Sequence, residues 1–402
     1  MRSNHFSLLV VLFLALVSTA LASTTWYVDG VSGFDGNNCT SATTACKTIA
    51  HAIEASVSGD SIIVAPATYT ENLSISKNLR ILGSGATTTI IDGGGIGTVV
   101  TISSGSGVRL IGMTIRNGAA VAAGGGIEND GGLTLISSTV SGNTATYDPR
   151  CKFFCIGAAG GGINNSGRLT IDKSTISGNS AFARAILAGG GILNYGTVTI
   201  RRSTISGNTG GGIVLYGGNA TISQSTFSGN GTGIFAFIYT MTMSVSNSTI
   251  SGNGGGIEGG SLTKTKFSIS NSTVSENSGA GISGKTPGWV LQNSIVANNS
   301  GGNCSGTVTS HGHNLSSDAT CDFDGTGDLN NIDPMLGPLQ NNGGATQTMA
   351  LPSGSPAIDA GNPNGCTDNL GKLLKTDQRG MPRHDREDTR GCDMGAYESQ
   401  RD

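Results

Sequence analysis

One phrase keeps returning. "GGGINNSGRLTIDKSTISGNS" (residues 160–180) is written again, with small changes, at GGGILN…VTI…STISGN, at GGGIVL…ATI…STFSGN and at GGGIEG…FSI…STVSEN. The Ile of the first phrase recurs at Ile127, Ile163, Ile192, Ile213, Ile234, Ile257 and Ile282. The apolar residue of the last phrase recurs at Val140, Ile176, Ile205, Phe227, Ile250, Val274 and Ile295. With the longer early intervals set aside, the steps run from 21 to 25 residues. Such a period marks one structural coil per repeat, stacked on the next, because no coil can bury its apolar side alone.

Each coil holds three short apolar–polar–apolar runs parted by Gly, Asn or Ser. A leucine-rich repeat has a similar period, but it places Leu at several fixed positions and usually a helix in each coil. Here the anchors are β-branched and no coil has room for a helix. The expected fold is all-β: a single-stranded right-handed parallel β-helix with a short N-terminal helical cap and an irregular C-terminal cap. Equivalent residues of successive coils then lie ~4.8 Å apart and stack Ile upon Ile. Gly160 to Gly162 suit a corner needing positive φ or close approach. Asn143, Asn179, Asn208, Asn230, Asn253, Asn277 and Asn298 hold one position of the phrase and predict an internal amide ladder.

Composition agrees. Of 402 residues 65 are Gly, 36% are apolar, 12% charged and 5% aromatic, which favours short strands joined by tight turns. A net charge of −3 without a basic block excludes a nucleic-acid footprint and gives no support to bulk electrostatic capture of acidic polymers.

Residues 1–22 carry an early Arg, an apolar run from Phe6 to Val17 and the small-residue site Ala20-Leu21-Ala22. That pattern is a secretory signal peptide; the run is short of the ~20 residues a membrane span needs. No later run could span a bilayer. The eight cysteines fall into neighbouring couples, Cys39 with Cys46, Cys151 with Cys155, Cys304 with Cys321, and Cys366 with Cys392. In an exported chain an even count favours disulfides, and local pairing is the simplest connectivity. Residues 23–60 are expected to form the N-terminal cap, with Ile49, Ile53 and Val57 at helical spacing, Gly59 as a stop and His51 a cap or surface residue rather than a ligand. Residues 61–300 form the coils, and 301–402 a C-terminal capping region.

These repeats resemble the secreted right-handed parallel β-helix proteins grouped as pectin-lyase-like. They also resemble the repeats of chlamydial polymorphic outer-membrane proteins, GGGI standing for GGA-plus-aliphatic and "FSGN" (227–230) matching FxxN. "LPSGSPAIDAGN" (351–362), "TDQRGMPR" (376–383) and "CDMGAYE" (392–398) look like the choice-of-anchor Q domain of bacterial surface proteins. The resemblance implies secretion or non-covalent surface attachment, since neither an autotransporter barrel nor the anchor that often follows that domain is seen.

Pectate-lyase chemistry needs stacked carboxylates holding Ca²⁺ beside a basic residue. The outward column after the GGGI Ile reads Glu128, Asn164, Leu193, Val214, Phe235, Glu258, Ser283, with its acids several coils apart. Asp172 is followed one coil on by Arg201, a surface pair. "HGH" (311–313) reads as a turn rather than a hydrolase site. Asp322, Asp324 and Asp328 give "DFDGTGDLNNID" a calcium-loop flavour without a terminal bidentate Glu, so Ca²⁺ is the one candidate ion and no other cofactor is implied.

Three places could hold a ligand. Tyr147, Arg150, Lys152 and Arg184 lie in insertions leaving one corner of adjacent coils. Phe235, Phe237 and Tyr239 alternate, and form either outward rings for sugar faces or, the slightly favoured reading, core. Thr and Ser flanking the inward residue of each STISGN phrase (Thr139/Ser141 to Thr273/Ser275) would make two outward hydroxyl files, which β-propensity alone also explains. The leading expectation is a monomeric secreted or cell-surface scaffold, adhesive or glycan-binding without catalysis. The alternative is a polysaccharide lyase or glycosidase.

Overall fold

The computed structural model describes residues 23–147, 160–182, 188–237, 241–260, 266–284, 288–368, 370–383 and 391–400. Arg150, Lys152, Arg184, Tyr239, Cys151, Cys155 and residues 1–22 lie outside them.

One coil shows the plan. Ile163–Asn165, Arg168–Asp172 and Thr175–Ser177 are its three strands, and each pairs in parallel with its counterpart in the next coil. Repetition gives three long sheets. Sheet 1 runs over 12 strands from Thr25–Val28 to Val308–Ser310. Sheet 2 has 10 strands, from Leu73–Ile75 to Cys304–Ser305, and sheet 3 has 12, from Ala67–Thr70 to Leu329–Asn330. The stack thus begins within the expected cap and runs beyond residue 300, because 301–330 completes the coil despite losing the repeat phrases.

Register is kept without slip through the regular coils: Ile127, Ile163, Ile192, Ile213, Ile234, Ile257 and Ile282 face one another in turn. These columns form one continuous core at 0–1% exposure. At ~25 cal/mol per Å² of apolar area removed from water, this burial is the main stabilising force.

Polar ladders run beside the apolar columns. Asn143 donates through its backbone N–H and Nδ2 to Asn179 Oδ1, and the pattern repeats through Asn208, Asn230, Asn253 and Asn277. The next rung is Asn299, not Asn298: Asn277 donates to Asn299 Oδ1 at 3.1 and 2.8 Å. The cause is a one-residue shift. Val274 pairs with Val296, so Ile295 stands where other coils have Thr, and Asn298 takes the left-handed position (φ 58°) of Gly142, Gly178 and Gly252.

A second ladder joins Asn129, Asn165 and Asn194 at 2.6 Å steps. A third uses the first Ser of STISGN: Ser174 Oγ accepts from Ser138 N and donates to Asp172 O, and the motif continues from Ser203 to Ser294. Side chains paired in this way carry little desolvation penalty; Asn129 Oδ1, at the start of the second ladder, is buried without a partner.

Gly161 is required by close approach, since a Cβ there would meet the Gly190 and Ser180 carbonyl oxygens at 2.4 Å. Positive φ belongs instead to the Gly of SGN, as at Gly178 (φ 61°). At the N-terminus Thr48 caps the helix Ile49–Ala55, whose Ile49, Ala52 and Ile53 bury against the first coil. Ser56 ends the helix, leaving Val57 54% exposed rather than core.

Candidate functional site

The C-terminal region folds back along the stack. Its path is set by a column of turn residues between sheets 1 and 3, all at positive φ: Ser137, Lys173, Arg202, Gln224, Asn247, Asn271 and Asn293. In the later coils this position carries amides, and each reaches the C-terminal backbone. Gln224 donates to Asp377 O, Asn247 to Thr376 O, Asn271 to Thr367 O and Asn293 to Asp393 O, at 2.7–3.2 Å. Asn247 and Asn271, though in Asn-x-Thr sequons, are buried by this use.

Behind these contacts lies a buried polar lock. The Arg383 guanidinium donates to Glu398 Oε2 (2.8 Å), Asn247 Oδ1 and the Gly395 and Asp393 carbonyls. Asp377 pairs with Arg379 and accepts the N–H groups of Arg379, Met381 and Glu398. Burial pushes the Asp393 carboxyl up to about 7, against the pull of the Ser399 and Asp359 N–H groups and Arg383. Cys366–Cys392 ties the two ends of the region.

This docking covers the second half of the hydroxyl files. Thr226 Oγ1 donates to Gln347 O, Thr249 Oγ1 to Gln378 Oε1, and Thr273 Oγ1 accepts the Ala396 N–H. Thr249, Ser251, Thr273 and Ser275 are buried, whereas Thr139, Ser141, Thr175 and Ser177 stay partly exposed. The files therefore serve as a seat for the chain's own C-terminal region, and a continuous open lattice does not exist.

Residues 366–368 and 370–376 form the two arms of a hairpin. Thr367 and Leu373 are bridged antiparallel, and the Asp368 carboxylate accepts the N–H groups of Leu370 and Lys372. The hairpin stands beside sheet 1 and encloses with it an open groove of about 1800 Å³. Its floor is the outward face of sheet 1, where Thr221, Ser244, Ser268 and Val290 succeed one another coil by coil. Asp368, Leu370, Lys372, Leu373 and Lys375 face it from the hairpin, with Leu370 93% exposed. Arg201 and Lys266 come from the sheet side and His311 from the loop after it. A shallower depression of about 270 Å³ lies at Thr204 and residues 344–347.

Arg201 is available because Asp172 pairs with its neighbour. Arg202 donates through Nε and Nη2 at 2.9 and 2.6 Å, replacing the Asp172–Arg201 pair expected from the column. Nothing in the sequence order joins Arg201, Lys266, Lys372 and Lys375. The signal that could have led to them is the change of the turn column from Ser, Lys and Arg to amides, which marks where the C-terminal region docks.

The other candidates fall elsewhere. Ile234 and Ala236 point inward, so Phe235 faces out and is not core. It joins an external cluster with Leu193, Val214, Tyr195, Tyr216 and Phe237. Tyr195, Tyr216 and Phe237 stack from coil to coil at 5.2 and 4.9 Å. Tyr216 is 2% exposed and its hydroxyl is pushed up to about 12 by burial. Tyr147 follows the strand Thr144–Thr146 and is partly buried.

Glu128 and Glu258 sit five coils apart in the outward column; burial raises both carboxyls, and Glu128 is held by Gly124 N and Asn164 Nδ2. Asp328 accepts from Ser310, Asn314 and Gly325, and does not converge with Asp322 and Asp324. His313 contacts Ala360 O within a turn. Among the described residues the one group with metal-ligand geometry is Cys39, Cys46 and His51, and its two sulfurs are joined as a disulfide. Cys304–Cys321 is likewise bonded. No helix among the described residues is long and apolar enough to cross a membrane.

Residues 159–320 match the family model described as a right handed beta helix region. With three parallel sheets and one strand of each per coil, the fold is a right-handed parallel β-helix. No curated protein matches the chain. Among solved structures it is similar to pectate lyase Pel9A, at 14% identity over 94% of this chain and 97% of that one, with a TM-score of 0.47. It is also similar to the GH136 lacto-N-biosidase from Eubacterium ramulus (11% identity, 77% and 68% covered, TM-score 0.45). A rhamnogalacturonan lyase gives 12% identity, 83% and 96% covered, and a TM-score of 0.42.

Proposed function

We propose that this chain is a secreted or cell-surface scaffold that binds a glycan chain in the groove between sheet 1 and the 366–376 hairpin, without cleaving it. The observation that carries the reading is the groove itself. At about 1800 Å³ it exceeds the ~300–1,000 Å³ usual for a small-molecule pocket, and it is open along the stack. Its Ser and Thr hydroxyls offer donors and acceptors at the coil spacing of ~4.8 Å, suited to a polymer rich in hydroxyl groups.

Cleavage would need a pair of carboxylates, or acids with a metal and a base, converging on the bound chain. Asp368 is the single carboxylate lining the groove among the described residues, and its Oδ1 already accepts two hairpin N–H groups. Disulfides suit an oxidising compartment, which supports export.

The test incubates the purified mature chain with pectins, alginates and xylans, with and without Ca²⁺, following unsaturated-product absorbance, reducing ends and thermal shift. The expected result is a shift with at least one glycan and no product. Calcium-dependent product would replace this reading with a lyase.

A further inference from the structure

We propose that the first coils of sheet 1 dock on an anionic lipid surface. The site is separate from the groove and is built from two outward columns of that sheet. One column runs Tyr27, Ile63, Leu82, Ile111 and Ile136, each the register partner of the next. Their strand neighbours Ile62, Ile81, Leu110 and Leu135 point inward at 0% exposure, whereas Ile63 is 39% exposed and the rest of the column partly so. In the following coils the column turns polar, with Asp172, Arg201, Ser223 and Ser246. The apolar residues are thus gathered in five adjacent coils, unlike aliphatic side chains scattered singly over a surface. The C-terminal region makes its hydrogen bonds to later coils, at Gln224, Thr226 and Asn247 among others.

The second column sets Arg80 directly opposite Arg109. Both side chains are exposed, and neither forms an ion pair with a described carboxylate. Like charges facing each other across a strand pair are destabilising, and an anion lying over both relieves the repulsion. The two acids that flank these coils are engaged elsewhere. Asp60 is buried and accepts from Thr24 N, Trp26 Nε1 and Val57 N, and Asp172 is held by Arg202. Arg80 and Leu82 are two residues apart on one strand, as are Arg109 and Ile111, so cation and aliphatic side chain share a face at roughly 7 Å.

That pairing selects the ligand. Anionic headgroups beside acyl chains meet both demands at once, whereas a free polyanion leaves the aliphatic column in water. Tyr27, at the end of the column, brings a ring and a hydroxyl suited to the boundary between headgroups and chains. The column is one residue wide and spans roughly 19 Å at ~4.8 Å per coil. Such a strip falls well short of the ~800 Å² that each partner buries in a stable protein complex, which argues against a second copy of the chain as its occupant.

The test measures co-sedimentation of the full mature chain with mixed phosphatidylglycerol–phosphatidylcholine vesicles and with pure phosphatidylcholine vesicles. It is repeated with R80Q/R109Q, which alters two exposed side chains, and with I63S, the melting of each variant being followed alongside. The expected result is binding to the anionic vesicles at low salt. It should be at least about tenfold weaker in R80Q/R109Q, on pure phosphatidylcholine and at about 0.5 M NaCl, and several-fold weaker in I63S, with unchanged melting. No binding to the anionic vesicles overturns the inference, as does binding that both variants leave unchanged. Loss in R80Q/R109Q with I63S unaffected overturns it in favour of a site for the headgroup charge alone. A concentration-dependent dimer in sedimentation velocity that I63S abolishes also overturns it, assigning the column to a second copy. None of these outcomes bears on the groove, which the glycan assay tests by itself.

Discussion

Arg383 Nη1 donates to Glu398 Oε2 at 2.8 Å, with the two side chains 1% and 2% exposed. The same guanidinium reaches Asn247 Oδ1 on the turn between sheets 1 and 3, so one buried cation joins the C-terminal region to the coil stack. Removing one partner of a buried pair strands the other charge and typically costs about 3–5 kcal/mol. Arg383→Ala is therefore expected to lower the urea midpoint and open residues 366–400 to protease while the N-terminal coils stay resistant. Wild-type protease resistance in that variant would refute the lock.

Interior rungs of the Asn ladder should behave unlike the position one residue before the corrected rung. Asn299→Ala leaves the Asn277 backbone N–H without its acceptor and the Val274 carbonyl without the Asn299 amide, while Asn277 Nδ2 keeps its bonds to the Ile250 and Ser275 carbonyls. At about 1–3 kcal/mol for each buried group left unpaired, a large loss of stability follows. Asn298 is exposed at φ 58°, so Asn298→Gly should be within about 1 kcal/mol of neutral. Denaturation of the two variants side by side decides between Asn298 and Asn299 as the rung.

The contrast explains how much of the molecule its sequence reveals. Column positions are legible because coils stack in fixed register: Ile163 must face Ile192, so identity of phrase implies contact. Legibility fails where the phrase drifts, as at Ile295, which occupies a Thr position while Val296 goes inward. It fails again where a residue type has two uses. The first Ser of STISGN reads as an ordinary strand entry yet forms a buried ladder, and Asn129, Asn165 and Asn194 form another. The groove was least legible of all, since Arg201 and Lys375 meet only after the C-terminal region has folded back over many coils.

Stability should fall as pH rises from about 4 to about 7. The Asp393 carboxyl is raised by burial from 3.8 to about 7, so the folded state holds a proton that the unfolded chain releases near 4. The contribution is full below the unfolded value and is lost by the time pH passes the folded one. Burial raises Glu71, Glu128 and Glu258 in the same sense. The hydrogen-bonded Asp29, Asp35, Asp60, Asp92 and Asp318 are lowered, so their opposing contribution falls at more acid pH. Urea midpoints at pH 5 and pH 7.5 check the sign; a higher midpoint at pH 7.5 would contradict it.

Thr175 and Thr249 occupy the same place in their phrases, but only Thr249 is covered, donating from Oγ1 to Gln378 Oε1 at 2.7 Å. Valine keeps the β-branched shape in both. In Thr175→Val a partly exposed hydroxyl is exchanged for a methyl, and the change should be within about 0.5 kcal/mol. In Thr249→Val a buried amide oxygen loses its donor, at a cost of about 1–3 kcal/mol. Gln378 Nε2 keeps its bonds to Thr226, Thr346 and the Gln347 carbonyl, so the C-terminal region should remain docked though less stable. Equal stability of the two variants would mean that the later hydroxyl file is not the seat of that region, and that the groove beside it lacks the wall described here.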